Sequence, residues 1–200
     1  MRDYVKWHDA YDDPASDMSW RLRQVQAYIR STLDQIQGQL TVLSLCAGDG
    51  RDVLQVLVQR DDSARIHATL IELHPVLAQR AREFAAQSGL ANVTVRAIDA
   101  GNTTAYAGSV PAHLVIMMGI FGNISDDDIR RTIQTAPQLC QPGAVICCGP
   151  EARTVLTITA RSAAGWPRRA SPSWITGNSI TPKVSAQRSA QPGTRARCSR

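Results

Sequence analysis

The stretch Thr41–Leu54 (TVLSLCAGDGRDVL) combines residue types that suit a site for an anion or a nucleotide. Its apolar beginning predicts a short buried strand, and Gly48 and Gly50 predict a tight turn after it. A helix is expected to start directly afterwards, at Arg51 or Asp52. Amides in the first turn of a helix lack intrahelical partners, the helix dipole favours negative charge there, and glycine lets a ligand approach the backbone closely. We therefore expect a ligand to bind at this turn.

Three later positions carry acidic or small residues at the end of an apolar run. Glu72 lies near the end of IHATLIEL, Asp99 follows NVTVRAI, and Gly119 follows AHLVIMM. A carboxylate at the position of Glu72 can accept hydrogen bonds from both hydroxyls of a ribose, and its spacing of about twenty residues from the glycine turn suits a dinucleotide site. Open α/β sheets bind ligands at the carboxyl ends of their strands, so all these positions are expected on one rim.

Each of these positions also has a purely structural alternative. Glu72 could be a solvated charge at a strand end, Asp99 could cap a turn, and Gly119–Asn123 could be no more than a loop that enters a helix. Their common location, more than any single residue, is therefore the argument for a site.

The elements that must position these residues alternate along the chain. Near-continuous apolar runs predict strands at residues 41–46, 66–72, 93–98, 113–118 and 144–148, with a turn at Cys140–Gly143. Apolar residues at three- and four-residue spacing predict helices from Asp17 to Gly38, over residues 51–60, from Pro75 to Ser88, and from Ser125 onwards. This alternation predicts an α/β fold with a doubly wound, mostly parallel sheet and helices on both faces.

Composition divides the chain into three parts. Residues 1–18 mix aromatic with acidic side chains and are expected to pack on the domain or to cover its site, and residues 19–149 are expected to form the α/β domain. Residues 150–200 hold nine of the 22 Lys and Arg residues and one of the 17 acidic residues. This basic, low-complexity tail has no sustained period beyond TVLTI at 154–158. It predicts either disorder or a shifted reading frame, with the last strands of the sheet missing or distorted.

Composition also limits the classes of protein that fit. Two hundred residues suit one domain with a sizeable core, and no apolar run approaches the roughly 20 residues of a membrane-spanning helix. The five cysteines show no CxxC spacing, so neither a disulfide framework nor a metal site is expected. The first residues lack the apolar segment of a signal peptide, which makes a cytoplasmic protein the default expectation. Residues 1–150 carry 13 basic and 16 acidic side chains, which argues against a nucleic-acid groove.

Taken with the later strand ends, the glycine turn resembles that of the class I methyltransferases that depend on S-adenosylmethionine (SAM). The similarity covers residues 20–148. That family ends its first strand in an acidic residue followed by GxGxG; the matching stretch here is Ser44–Gly50, with Ser44 at the acidic position and Cys46 at the first glycine. The resemblance implies that SAM is the cofactor. It implies binding by Cys46, Ala47, Gly48, Asp49, Gly50, Glu72, Asp99, Ala100, Gly119 and Ile120.

The resemblance also implies roles for single residues. Glu72 is expected to bind the ribose hydroxyls, and Asp99 is expected to accept from the adenine amino group. The stretch Met118–Asn123 is expected to line the cofactor and face the methyl acceptor. Because Ser44 carries no charge, the partner of the SAM ammonium stays open, with Asp49 or a group of the N-terminal segment as the replacement.

The N-terminal segment offers groups that suit a cover for the methionine end of SAM. Trp7 and Tyr11, with Arg21 or Arg23, would close over the cofactor and bind its carboxylate, as N-terminal elements do in similar enzymes. Packing of these aromatic rings on the sheet edge is an equal alternative. His8 is the histidine considered as a base, and no catalytic residue is assigned.

The favoured function is transfer of a methyl group from SAM to a small-molecule acceptor. This displacement at a sulfonium methyl needs positioning and exclusion of water more than a dedicated catalytic residue. No Asn-Pro-Pro-Tyr signature for nucleic-acid bases is present, and nothing indicates the oligomeric state. Two alternatives remain. One is a nicotinamide-dependent oxidoreductase, which Val53 at the third glycine of GxGxxG disfavours; the other is a truncated or degenerate Rossmann-like domain without turnover.

Overall fold

The computed structural model describes residues 4–149 and 156–159. In this part of the chain the strands are β1 (Leu40–Leu45), β2 (Ile66–Ile71), β3 (Val93–Arg96), β4 (Ala112–Met118), β5 (Cys140–Gly149) and β6 (Leu156–Thr159). The α-helices are α1 (Tyr4–His8), α2 (Asp17–Gln35), α3 (Arg51–Val58), α4 (Pro75–Gln87) and α5 (Asp126–Thr135). The strands form a single sheet in the order β3-β2-β1-β4-β5-β6.

The central part of the sheet is parallel. β1 pairs with β2 on one side and with β4 on the other, and both pairings are parallel. β3 extends the parallel pairing beside β2, and β5 extends it beside β4. β6 pairs antiparallel with β5. The predicted fold class, an α/β protein with a doubly wound, mostly parallel sheet, is confirmed.

Apolar side chains of the sheet divide between two clusters on its opposite faces. Val42 belongs to one cluster and its neighbour Leu43 to the other, because successive side chains of a strand point to opposite faces. Helices α2, α3 and α4 pack on the first face, and α5 packs on the second. The sheet is thus covered on both sides, and its ligand-accessible groups are those at the strand ends.

Local sequence explains where the helices begin. The Ser16 hydroxyl accepts a hydrogen bond from the Ser19 amide and caps α2, whereas the Ser125 hydroxyl accepts from the Asp128 amide and caps α5, as predicted. Pro75 occupies the first turn of α4, where a missing amide costs no hydrogen bond. The bounds of β1, α3 and α4 lie within a few residues of their predicted positions.

The fifth strand differs from the prediction. Residues Cys140–Gly143, predicted as a turn, belong to β5, which begins at Cys140. The pairing changes register between Ala112–Cys140 and Leu114–Val145, so residues 141–144 of β5 stand opposite a single residue of β4. Gly143 has a φ of +85°, which a glycine adopts without steric cost. The turn signal in the sequence thus marks an irregular stretch within a strand.

Residues beyond 149 enter the structure as β6. This strand overlaps TVLTI, the last periodic stretch of the predicted tail, and it lengthens the sheet beyond the predicted domain boundary. The rest of the predicted tail, and with it the choice between disorder and a shifted reading frame, lies outside the described residues. Among the helices that are described, none is both long and apolar enough to span a bilayer.

Candidate functional site

A cleft of about 480 Å³ lies at the carboxyl ends of β1, β2 and β4. Its volume falls within the roughly 300–1,000 Å³ that is typical of small-molecule sites. Its lining comes from the segments that follow these strands and from residues of α1 and α2. Seven of the ten predicted site residues line the cleft: Cys46, Ala47, Gly48, Asp49, Glu72, Gly119 and Ile120. Gly50, Asp99 and Ala100 do not.

The turn after β1 has the left-handed backbone that a glycine-rich loop requires. Gly48 and Gly50 have φ values of +60° and +71°. A Cβ on Gly50 would collide with the Leu70 side chain, so this glycine also permits close packing of α3 on β2. Cys46, at the position of the first glycine in the resembled motif, adopts a φ of +51°. The chain therefore keeps a glycine-like conformation there without the glycine.

Glu72 connects the glycine turn to the loop after β2. Its side chain is 9% exposed and lines the cleft. The Gly48 amide donates to Oε2 at 2.7 Å, and the His74 amide donates to Oε1 at 2.7 Å. Each carboxylate oxygen has a second lone pair, so Glu72 can still accept from a ligand while the two amides hold it in place.

Asp49 is engaged by a neighbour on the same loop. The Arg51 guanidinium donates to both carboxylate oxygens of Asp49, with an ion-pair distance of 2.5 Å. Arg51 also lies 4.6 Å from the centre of the Tyr11 ring and 3.5 Å from a carboxylate oxygen of Asp12. This arrangement ties the N-terminal segment to the start of α3 and occupies the Asp49 carboxylate.

The N-terminal segment covers the glycine turn. Tyr4, Trp7, His8 and Tyr11 line the cleft, and the rings of Trp7 and His8 lie edge to face with centres 5.4 Å apart. His8 Nδ1 lies 2.7 Å from the Tyr4 carbonyl, and Nε2 would lie 2.5 Å from a Cβ added to Gly48. Because a carbonyl only accepts, Nδ1 of His8 carries a proton, and Nε2 faces the turn.

Arg21 and Arg23, the two arginines expected to bind the carboxylate of SAM, have different positions. Arg21 lines the cleft and is 7% exposed, and its Nη2 atom would lie 3.7 Å from a Cβ on Gly119. Arg23 is exposed and donates to the Pro14 carbonyl at 3.2 Å, away from the cleft lining. Of the two, only Arg21 is placed to reach a ligand in the cleft.

Asp52 is a cleft residue that the sequence analysis did not single out. Burial raises its pKa to about 6; the charge of Asp49 adds to the rise, and the Val53 amide and Arg21 oppose it. The sequence feature that could have indicated Asp52 is its place in the first turn of a helix, directly after the glycine turn. A first-turn aspartate is so common as a helix-stabilising residue that its position alone does not indicate a site.

Asp99 and Ala100 do not line the cleft and take part in a turn. Asp99 is exposed and its Oδ1 accepts from the Gly101 amide at 2.8 Å, while the Ala100 carbonyl accepts from the Tyr106 hydroxyl. Desolvation, followed by the charges of Glu72 and Asp99, raises the pKa of the Cys46 thiol to about 11. Both carboxylates therefore act electrostatically on Cys46, and each follows the carboxyl end of a parallel strand.

Two further polar atoms on the cleft wall lack partners. Ser44 Oγ and His74 Nδ1 are buried and have no hydrogen-bond partner within the described part of the chain. Unpaired buried polar atoms are rare, and they are expected where a ligand or water completes the site. No group of three or more His, Cys, Asp or Glu side chains suited to a metal ion occurs among the described residues.

A mostly parallel sheet whose central strands end at one ligand-sized cleft defines a Rossmann-like α/β protein. A family model described as "Putative methyltransferase" matches residues 17–169, which is more than half of the chain. The chain belongs to this methyltransferase family. The resemblance to class I methyltransferases in the sequence is thus confirmed at the level of the family.

Solved structures with a similar fold include two SAM-dependent methyltransferases crystallised with S-adenosyl-L-homocysteine. The protein from Geobacter sulfurreducens is 22% identical, with a TM-score of 0.49 over 64% of this chain and 47% of that chain. The protein from Thiobacillus denitrificans is 22% identical, with a TM-score of 0.48 over 63% of this chain and 47% of that chain. The chain thus spans about half the length of these proteins. No curated protein sequence matches it significantly.

Proposed function

We propose that the protein transfers a methyl group from SAM to a small-molecule acceptor. The observation that carries the proposal is the position of the Glu72 carboxylate, inside the cleft and hydrogen-bonded to the Gly48 amide. A carboxylate held there by backbone amides has acceptor capacity for the two hydroxyls of a ribose. Membership of a methyltransferase family selects SAM among the ribose-containing cofactors.

The properties of the cleft suit SAM as a ligand. Its volume matches small-molecule sites. Ser44 and His74 both line it, and within the described residues the buried Ser44 hydroxyl and His74 Nδ1 have no hydrogen-bond partner. When bound, SAM supplies a sulfonium methyl group that a nucleophile displaces. The chain's own contribution is to hold the cofactor against the glycine turn and to keep water away from it.

The part of the cleft between the segment after β4 and α1 suits an acceptor with an apolar body. Ile120 and Ile124 follow β4, and Tyr4 and Trp7 face the cleft from α1. The Tyr4 hydroxyl donates to the Asn123 side-chain oxygen at 3.4 Å, so Asn123 is a polar group within a largely apolar lining. A few polar groups among apolar walls are typical of sites for small organic molecules.

Two alternative functions predict other ligands. A nicotinamide enzyme would require close approach of helix and strand at the third glycine position, where Val53 is fully buried in the core. A degenerate domain would bind SAM without transferring its methyl group. The alternatives therefore differ from the proposal in the ligand bound or in turnover.

Calorimetric titration with SAM, S-adenosylhomocysteine and NADH tests the proposal. We expect SAM and S-adenosylhomocysteine to bind and NADH not to bind; binding of NADH alone would contradict the assignment. Transfer of labelled methyl from SAM to a panel of small hydroxyl, amine, thiol and carbon acceptors then tests turnover. Binding of SAM without transfer to any of them would favour the degenerate domain.

A further inference from the structure

The segment after β4 turns sharply and divides its side chains between the core and the cleft. Gly119 has a φ of +78°, and the Asn123 amide donates to the Ile120 carbonyl at 2.9 Å, which closes the turn. Phe121 is 8% exposed and packs in the apolar cluster on the face that α5 covers. Ile120 and Asn123 line the cleft instead. The turn thus presents the polar side chain of Asn123 next to an apolar one.

A hydrogen bond fixes the orientation of the Asn123 carboxamide. Its Nδ2 donates to the Gly119 carbonyl at 2.6 Å. The reversed orientation would place Oδ1 against that carbonyl oxygen, and two acceptors repel each other. Nδ2 therefore faces the turn, and Oδ1 is left for a donor beyond it.

The bond that Oδ1 of Asn123 makes within the chain is weak. The Tyr4 hydroxyl donates to it at 3.4 Å, beyond the roughly 2.5–3.0 Å that is usual for a hydroxyl donor and an oxygen acceptor. Tyr4 also lines the cleft, so Oδ1 lies on the cleft side of the turn. An amide oxygen has two lone pairs, so a closer donor on a ligand can join or replace the tyrosine. Asn123 thus retains most of its capacity to accept a hydrogen bond.

We propose that Asn123 binds the nitrogen that is methylated, and that the methyl acceptor is a neutral aromatic amine. This inference rests on the proposed function and names the class of its acceptor. The amine N–H donates to Oδ1 of Asn123. The aromatic ring packs among the apolar side chains of this part of the cleft, which include Trp7, Ile120 and Ile124.

An oxygen acceptor at Asn123 favours nitrogen over oxygen or sulfur as the atom that is methylated. A hydroxyl or a thiol becomes a strong nucleophile when it loses its proton to a base, and the resulting anion would be repelled by Oδ1. An amine attacks through its lone pair while its N–H bond to Oδ1 stays in place. The carboxamide of Asn123 is not a base, so it suits an acceptor that needs no deprotonation before the attack.

The charge of the free amine decides between aromatic and aliphatic acceptors. Aliphatic amines resemble the lysine side chain, whose pKa of about 10.4 keeps it protonated near pH 7 and without a free lone pair. Aromatic amines are neutral there, because the ring delocalises the nitrogen lone pair. A largely apolar lining also disfavours a cation, since removal of its water is costly. A neutral nitrogen on an aromatic ring meets both requirements.

The methyl transfer to such an amine balances without a further reactant. The nitrogen lone pair forms a C–N bond to the sulfonium methyl carbon, while the C–S bond breaks and its electron pair returns to sulfur. Nitrogen gains the positive charge that sulfur loses, so its N–H becomes a stronger donor to Oδ1 of Asn123. The bond is therefore stronger in the transition state than with the free amine, which raises kcat. The nitrogen afterwards gives its proton to water.

Three matched ligands isolate the N–H contact. Aniline carries N–H groups, N,N-dimethylaniline has the same ring and nitrogen without an N–H, and phenol carries an O–H. Calorimetry measures their affinities for the full chain saturated with S-adenosylhomocysteine, as wild type, Asn123→Ala and Gln134→Ala. Gln134 is the control, because its amide is exposed on α5 and lies outside the cleft lining. Transfer of labelled methyl from SAM to aniline then gives kcat and KM.

Asn123→Ala should remove the preference for a donor. The ratio of the affinities for aniline and N,N-dimethylaniline should fall about 3- to 10-fold in Asn123→Ala and stay at the wild-type value in Gln134→Ala. The kcat for aniline should fall about tenfold in Asn123→Ala, since the lost bond is strongest in the transition state. Unchanged affinity for S-adenosylhomocysteine shows that the variant is folded. If Asn123→Ala does not fold, Asn123→Ser, whose hydroxyl is shorter, should show the same losses.

Other outcomes overturn the inference in distinguishable ways. An unchanged affinity ratio in Asn123→Ala would remove the N–H contact. Methylation of phenol in place of aniline, at a rate that rises as phenol ionises, would assign an oxygen acceptor, with Arg21 near Gly119 as the cation that stabilises it. Absence of aniline binding to the S-adenosylhomocysteine complex would overturn the acceptor class and leave the cofactor assignment intact. Failure of S-adenosylhomocysteine to bind the wild type would overturn the proposed function itself.

Discussion

The Gly48 amide donates a hydrogen bond of 2.7 Å to Oε2 of Glu72, and this bond joins the ends of β1 and β2. Its partners are 24 residues apart in sequence and meet because β1 and β2 are adjacent parallel strands in register. The His74 amide fixes the other oxygen of the same carboxylate. Glu72 therefore shapes the glycine turn in addition to any contact that it makes with a ligand.

Replacement of Glu72 should weaken SAM binding. Glu72→Ala removes the proposed acceptor of the ribose hydroxyls and two hydrogen bonds that hold the turn, so a loss of about 1–3 kcal/mol in binding free energy is expected. Calorimetry with SAM measures the loss. Glu83→Ala, an exposed glutamate on α4, is the control and should bind as the wild type does. Equal affinities for both variants would remove Glu72 from the ribose site.

The left-handed backbone at Cys46 predicts that a glycine variant is more stable than an alanine variant at this position. An L-residue at this φ of +51° pays about 1–2 kcal/mol of steric strain that glycine avoids, although glycine costs more entropy on folding. We expect Cys46→Gly to be more stable than Cys46→Ala by about 1 kcal/mol. Urea unfolding of both variants measures the difference. An alanine variant as stable as the glycine variant would show that this conformation carries no strain.

A side chain at Gly48 should displace His8. Gly48→Ala introduces a Cβ that would lie 2.5 Å from His8 Nε2, in addition to the strain of a φ of +60°. We expect a loss of about 2–3 kcal/mol in the free energy of unfolding. Gly89→Ala is the matched control, because Gly89 has a φ of +68° and open space around its Cβ position. The control should lose only about 1–2 kcal/mol.

A double-mutant cycle separates the contact with His8 from the strain. In a His8→Ala background the substitution Gly48→Ala should cost about as much as Gly89→Ala, because the colliding ring is gone. Chemical unfolding of the four proteins measures the coupling energy. A coupling near zero would show that the N-terminal segment does not rest on the glycine turn in solution.

The substitution Asp52→Asn should stabilise the fold at alkaline pH. Burial raises the pKa of Asp52 to about 6, above the value of about 3.9 in an unfolded chain, so the native state binds this proton more tightly. The ionised carboxylate therefore lowers stability, with the penalty absent below about pH 4 and fully present above pH 6–7. At pH 8 we expect a gain of about 1–2 kcal/mol in the free energy of unfolding, reduced by the lost interaction with the helix dipole.

Urea unfolding at pH 4, 6 and 8 tests this pH dependence. The gain for Asp52→Asn should grow as the pH rises, whereas the exposed control Asp61→Asn should show little change. A variant that gains stability and loses affinity for SAM would mark Asp52 as a residue kept for its ligand. A variant destabilised at pH 8 would instead identify the carboxylate as a structural support.

The sequence determined the order and the type of the elements on its own. Apolar runs and caps such as Ser125 act over a few residues, so their effects are visible without the fold. The rule that ligands bind at the carboxyl ends of parallel strands then predicted that Gly48, Glu72 and Gly119 share a rim, and all three line the cleft.

Only the tertiary structure decided which charges remain available in the cleft. Local spacing does not reveal that Asp49 is paired with Arg51, or that Arg21 rather than Arg23 faces inward. Nor does it reveal that Asp52 has no cation at ion-pair distance among the described residues and is acted on by Arg21 from farther away. It also does not reveal that His8 rests on Gly48, 40 positions along the chain. These relationships depend on the packing of α1, α2 and α3 around the strand ends. Burial and pairing of a charge are properties of that packing, because desolvation depends on neighbours that are distant in sequence.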